Sequence, residues 1–529
     1  MAATVDRDPP AGPGLLVAGL FVSILFAAPF AYLIVKNAGF VSEVVDVFTA
    51  GSAVGPLLRT LVLATAVSLS AAVLGTAIAW LTIRTDLPGR RLLAVAAPLP
   101  LVFPSFVGAA ALQAAVAPNG MLEELVPALA GRLPNVDGLT GAWLVLTLFT
   151  YPYVYLPVAA RLGGLPRSLE ESARMLGRRP GAVFRTVVLP QAGSAIWAGA
   201  LLVFLYTVSD YGAVAALRYN TLTVEIFSSG IYNEPKAAGL GLLLAAVALT
   251  VVIAERAAAT RRPRLEAGRG RGSLLVPLGR WRWPAGCVVV VVLANALFGP
   301  LSVLGYWAWR GLTRTGQAGP ASDLVVPTAN TAAIGVSTAI ITVAIVLPVA
   351  YLTVRYRSRV GDVANALVVG GFALPGLVIA LALVRWVLDA PLLGGLYQTL
   401  PVLLAAYVIH FGSQAMRAAQ VAAGTVPARL DDAARVLGAG RWRRLRTVEL
   451  PIMLPGLLAG AGLVLLSTMK ELPATLLLRP TSIDTLAVHI WSAREAARWA
   501  DTGLASIVLV ALSAVLTWLL VARRVERLA

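Results

Sequence analysis

The sequence predicts an all-α polytopic membrane protein of about twelve transmembrane helices in two parallel six-helix repeats, and three observations lead there. Hydrophobic residues make up 58% of the 529 and charged residues only 13%, whereas an ordinary soluble domain carries about 25% charged residues. The apolar residues gather into runs of roughly 20, the length of helix that crosses a hydrocarbon layer. A segment of the first half also returns in the second at a fixed spacing, the mark of a tandem repeat.

The apolar runs predict spans near 15–35, 57–83, 92–117, 139–160, 192–215, 238–254, 285–305, 328–353, 363–388, 396–416, 455–478 and 503–522. Several hold proline, as at Pro98, Pro100 and Pro104 in the third and Pro375 in the ninth. Packed neighbours must then satisfy the freed backbone groups, as in a bundled transporter. The N-terminal segment lacks the basic region of a cleavable signal, so the first run is expected to stay as a helix.

Net charge is +17, which in a soluble protein would suggest nucleic acid. Here the arginines sit between spans. Arg84, Arg90 and Arg91 follow the second span, six lie from Arg161 to Arg185, and eight from Arg256 to Arg282. Arg355, Arg357 and Arg359 follow the eighth, seven lie from Arg417 to Arg446, and Arg523, Arg524 and Arg527 end the chain. All fall on one side if the N-terminus is cytoplasmic, so both termini are expected inside. Cys287 is the one cysteine, which excludes a disulfide framework or cysteine metal cluster within the chain.

Residues 165–190 read LPRSLEESARMLGRRPGAVFRTVVLP and residues 426–451 read VPARLDDAARVLGAGRWRRLRTVELP, 261 positions later. Upstream, Thr60 and Arg84 match Thr331 and Arg355 at an offset of 271, so the first half holds about ten extra residues near 118–140. The predicted organisation is a first repeat over 1–254, an Arg-rich linker over 255–284 and a second repeat over 285–529. Each matched segment reads as a short helix between spans. Ser168 and Glu171 have capping-box spacing, and Pro166 or Pro427 limits the helix start. Leu169, Ala173 and Leu176, like Leu430, Ala434 and Leu437, form a narrow apolar stripe. Gly177 and Gly438 suit left-handed C-terminal caps. Helices this short are marginal alone, so each is expected to dock against something.

The paired segments resemble the EAA loop of binding-protein-dependent ABC importer permeases. That loop runs Glu-Ala-Ala, three residues, Gly, nine residues, Ile, one residue, Leu-Pro. This chain has Glu171-Ser172-Ala173, Gly177, Val187 and Leu189-Pro190, then Asp432-Ala433-Ala434, Gly438, Val448 and Leu450-Pro451. The resemblance implies a type I ABC importer permease of the fused two-half type. Its coupling residues would be Glu171, Ala173, Gly177, Pro190, Asp432, Ala434, Gly438 and Pro451. It also implies two separate ABC ATPase subunits carrying ATP and Mg, and an extracytoplasmic solute-binding protein opposite. No phosphate-binding loop occurs in this chain, so no enzymatic activity or cofactor of its own is expected.

Residues 207–219, TVSDYGAVAALRY, and 468–480, TMKELPATLLLRP, resemble stretches of ferric-iron importer permeases. The resemblance makes iron the leading substrate, with thiamine, phosphonate or another small solute as the alternative. Asp210 aligns with Glu471 at the offset of 261. Ionisable groups at membrane depth are costly and often functional. Asp210, Tyr211, Lys470 and Glu471 are therefore candidates for the translocation path. The competing placement is at the membrane interface, with Glu471 paired to Lys470. His410, His489, Tyr211 and Tyr219 show no metal-ligand spacing, and Arg385 is expected to pair with Asp389 one turn on. An ion-driven secondary transporter would explain twelve spans but not the two matched loops.

Overall fold

The computed structural model describes residues 11–260, 275–315 and 321–519, apart from isolated positions within 40–50 and at 119, 357, 372–373 and 518. The C-terminal arginines, Arg357 and most of the Arg-rich linker lie outside the described residues. Among those described, every named element is helical, and the sole β-bridge joins Thr85 to Val276. That bridge holds the end of the linker against the first half. Val276 N–H donates to Arg84 O at 2.8 Å, and Leu278 N–H to Asp86 Oδ1 at 2.7 Å.

The helices used below are α1 (Pro13–Ala38), α2 (Val54–Arg84), α3 (Ser105–Val116), α4 (Leu139–Gly163), α5 (Arg167–Met175), α6 (Leu189–Ser209), α7 (Gly212–Ala216) and α8 (Glu234–Thr260). The second half holds α9 (Gly279–Thr313), α10 (Val325–Val354), α11 (Gly376–Asp389), α12 (Leu400–Gly424), α13 (Ala428–Val436), α14 (Leu450–Met469), α15 (Pro473–Leu478) and α16 (Trp499–Thr517).

Nine described helices are long and apolar enough to cross a membrane, or eleven if each of two bent pairs is one span. The one expected span outside that count is the tenth, α12, which has the length but carries His410, Gln414, Arg417 and Gln420 along its course. The third and ninth spans are not straight. Arg90–Val102 turns through 95° into the segment starting at Ser105, and Arg359–Gly371 turns through 108° into α11. Pro104 and Pro375 stand at the new helix starts in extended conformation. Proline lacks the N–H a continuing helix needs and confines the residue before it. The fifth and eleventh spans end earlier than the apolar runs suggest: α6 stops at Ser209 and α14 at Met469. Short helices α7 and α15 follow after breaks.

The repeat is as regular in structure as in sequence. Helices α4, α5 and α6 begin 261 residues before α12, α13 and α14, and α2 begins 271 before α10. Thr60 and Thr331 show what that register preserves. Each threonine Oγ1 accepts the first N–H of a later helix, Leu222 and Leu486, at 2.9 Å.

In each half three spans pack together, α2 with α4 and α6, and α10 with α12 and α14. Small residues let the backbones meet, as expected where lipid supplies no hydrophobic drive between helices. A Cβ on Gly199 would lie 2.6 Å from Val154 Cα, and one on Gly460 2.7 Å from Ala418 Cβ. Neither neighbour can swing aside. Gly199→Leu or Gly460→Leu is therefore expected to cost more than the about 1–3 kcal/mol of ordinary overpacking. The check is the yield of monodisperse protein after detergent extraction, which should fall severely.

The first span of each half crosses to the other half's bent span: α1 packs on α11, and α9 on α3. Their C-terminal ends carry matching clasps. Lys36 Nζ lies 2.6 Å from Asp389 and 3.1 Å from Glu234, and Tyr32 donates to Asp389 at 2.5 Å. Across the molecule Arg310 pairs with Glu124, which also accepts from Tyr306. These contacts revise the expected Arg385–Asp389 pair. Lys36 takes Asp389, and Arg385 turns to Glu234 at 3.5 Å and Gly230 O at 2.7 Å.

Candidate functional site: two repeated loops and two helix breaks

Helices α5 and α13 begin after Pro166 and Pro427, both extended, with no side-chain cap. The capping-box expectation is thereby corrected: the proline is the N-cap, so Ser168 already lies inside the first turn. The ends follow the expected pattern. Gly177 and Gly438 adopt φ of 78° and 77°. Gly177 N–H donates to Arg174 O and Arg178 N–H to Ala173 O, and Gly438 and Ala439 repeat both bonds. This paired closure terminates a helix with a left-handed residue, where glycine carries no steric penalty.

The Leu-Pro of each loop also has a local reason. Phe184–Val188 and Leu445–Glu449 form single π-turns, in which Leu189 N–H reaches Phe184 O and Leu450 N–H reaches Leu445 O. Pro190 and Pro451 cannot donate and would crowd the carbonyl one turn back. The wider π-turn accommodates them at the entry to α6 and α14.

The apolar stripe is only partly inward. Ala173 is buried, but Leu176 and Leu437 are 81% and 85% exposed, beside equally exposed Met175 and Val436. Ala434 is half-buried, and Glu171 and Asp432 are on the exposed side. The buried acid is instead Glu170, which pairs with Arg84 at the end of α2; both are almost wholly enclosed. Arg84 Nη1 also donates to Leu162 O at 3.1 Å, and its counterpart Arg355 donates to Val426 O at 3.2 Å. Sequence reading missed Glu170 because it followed the motif acid. The available signal was that Glu170 lies three residues before Ala173, on the helix face that turns inward.

At the other pair of matched positions, the carboxylates occupy equivalent helix breaks. Asp210 follows α6, and its Oδ1 accepts from Ala213 N–H at 2.9 Å and Val214 N–H at 3.4 Å. Ser105 at the start of α3 donates to Oδ2 at 2.5 Å. Glu471 follows α14, and its Oε1 accepts from Ala474 N–H at 3.2 Å. Lys470 does not pair with Glu471. Its ammonium donates to Leu101 O of the first half's bend at 2.6 Å. Tyr211 is buried between the rings of Phe227 and Trp491, 4.6 and 5.8 Å away between centroids. The other candidates lie elsewhere: His489 is 3.5 Å from Asp484, and Tyr219 donates to Arg59 O at 3.3 Å.

Beside this region opens a cavity of about 830 Å³, walled by the first half's extra residues, among them Asn135 and Asp137, and by Arg494 of the second half. Arg494 donates to Gln113 Oε1 at 3.0 Å and to Ala216 O, and it lies over the Trp491 ring. One side chain thus joins the two halves immediately next to Tyr211.

A family model, binding-protein-dependent transport system inner membrane component, matches the chain twice, over residues 71–256 and 340–527. The Fe(3+)-transport system permease protein FbpB 2 of Haemophilus influenzae is 31% identical over 98% of this chain and 99% of its own length. A probable sulfate transport system permease protein of Nephroselmis olivacea is 27% identical over 44% of this chain and 85% of its own. A probable molybdenum ABC transporter permease of Haloferax volcanii is 32% identical over 38% and 74%. Two matches in tandem, each containing one repeated loop and one helix break, place the chain in that family: it is an inner-membrane permease component of a binding-protein-dependent ABC importer.

Proposed function

We propose that this chain is the translocating subunit of a ferric-iron importer, in which both halves of the route are fused. The observation that carries the reading is the similarity to the Fe(3+)-transport permease, which runs through both halves and the linker between them. Relatives named for sulfate and molybdenum match 44% and 38% of the chain, and a putative 2-aminoethylphosphonate permease covers 34% of it. These support the second reading, a small solute other than iron. Uptake of radiolabelled ferric iron, sulfate and molybdate by cells with and without this chain separates the two. Loss confined to iron is expected; loss confined to an oxyanion contradicts the proposal.

In this reading ATP and Mg belong to two partner ATPase subunits, one under each of α5 and α13. The bared Met175, Leu176, Val436 and Leu437 would be covered there, because exposed apolar clusters favour a protein partner. Glu171, Ala173, Gly177 and Pro190, with Asp432, Ala434, Gly438 and Pro451, would shape and present these helices. The arginine distribution supports cytoplasmic termini, which puts the solute-binding protein at the opposite face. Repeats over 1–254 and 285–529 would move against each other about the breaks at Asp210–Tyr211 and Lys470–Glu471, with 255–284 as their connector.

A further inference from the structure

The two helix breaks are equivalent in position but not in chemistry. On the first side, Asp210 is 8% exposed and both of its oxygens are engaged, one by two backbone N–H groups and the other by Ser105. On the second side the residue matching Ser105 at the offset of 271 is Gly376. Among the described residues no hydroxyl donates to the Glu471 carboxylate there; the Thr475 hydroxyl donates to its backbone carbonyl instead. Its Oε1 accepts Ala474 N–H, Oε2 accepts no hydrogen bond from the described residues, and the residue is only half-buried. The place where a Cβ of residue 376 would stand is 3.0 Å from Glu471 Oε1 and 3.1 Å from His410 Nε2. The glycine thus leaves a small space bounded by a carboxylate and an imidazole. Phe149 is the match of His410 in the first half, so that half offers no such nitrogen. Nor is Glu471 neutralised by its neighbour, because Lys470 is drawn to Leu101 O.

We propose that the polar contact for the passing solute is one-sided: Glu471, in the space left by Gly376 beside His410, contacts a hydrated multivalent cation, while Asp210 is a fixed helix cap. A carboxylate already accepting three hydrogen bonds would have to give them up to bind a cation. One with a free oxygen gives up only water. This rests on the reading of the chain as a cation importer and identifies which side of the route makes the contact.

The test uses the complete transporter, this chain with its ATPase subunits and binding protein, in proteoliposomes supplied with labelled ferric iron on the binding protein. Gly376→Ser would install on the second side the hydroxyl that engages Asp210 on the first. It should lower uptake at least tenfold at matched amounts of assembled complex, as should Glu471→Gln. Asp210→Asn should instead lower the yield of folded chain. Wild-type uptake by Gly376→Ser, or a Glu471→Gln defect confined to folding yield, overturns the proposal. A second measurement does not depend on iron. In a Cys287→Ser background, Glu471→Cys should react with a cationic methanethiosulfonate at least tenfold faster than Asp210→Cys. Equal rates overturn the one-sided route, whereas absent iron uptake by the wild type overturns only the substrate reading.

Discussion

Glu170→Leu should remove most of the stably folded protein, because it leaves the Arg84 guanidinium buried without its counter-charge. Both side chains are almost completely enclosed where α5 meets the end of α2. Breaking such a pair from one side costs about 3–5 kcal/mol, whereas replacing both members with apolar residues is often close to neutral. The double variant Arg84→Met/Glu170→Leu should therefore regain much of the loss. Thermal unfolding in detergent, followed by monodisperse fraction, reads both. A single Glu170→Leu variant as stable as wild type would show that the pair does not hold the loop. By comparison, Glu171→Gln, one residue along and on the exposed side, should change stability by no more than about 0.5 kcal/mol.

Replacing both loop glycines by valine should release the ATPase subunits while the chain still inserts and folds. A Cβ at either position meets nothing within 4 Å, so the objection is conformational rather than steric crowding. The φ values of 78° and 77° are the constraint. Holding a non-glycine residue in this region costs about 1–2 kcal/mol, more for a β-branched one, and about 1.4 kcal/mol is tenfold in an equilibrium. Gly177→Val/Gly438→Val should thus weaken ATPase association by about tenfold or more per loop. Gly177→Asn/Gly438→Asn should retain it, since asparagine tolerates this conformation. Retention of the ATPase at wild-type levels by the valine variant would remove both helices from the coupling role.

Much of this architecture was legible because membrane helices and repeats leave strong, redundant signals. Runs of apolar residues mark spans, and the same offset recovers α4, α5 and α6 in the second half. The loop glycines were legible for a different reason: few residues tolerate positive φ, so a glycine at a helix end points to one conformation. The bends at Pro104 and Pro375 were foreshadowed by the prolines, but their angles depend on how neighbouring spans pack. The breaks at Asp210 and Glu471 were hidden because α7 and α15 continue the apolar run with hardly a change of composition. Partners of charged side chains were the least legible. Lys36 meets Asp389, and Lys470 meets Leu101, across hundreds of residues, while the local pairs that spacing suggested did not form. Likewise, nothing in the sequence near Glu471 says that Gly376 stands beside it. Only the second repeat, read against the first, exposes the missing hydroxyl.

On the proposed function, one chain supplies both halves of the route and both ATPase docking helices. Native mass measurement of the transporter, purified from cells through a tag on this chain with its ATPase co-expressed, tests it most directly. One copy of this chain with two ATPase subunits is expected, reduced to a single ATPase when only Gly177 or only Gly438 is replaced by valine. An assembly holding two copies of this chain, or one that keeps both ATPase subunits after either change, would contradict it.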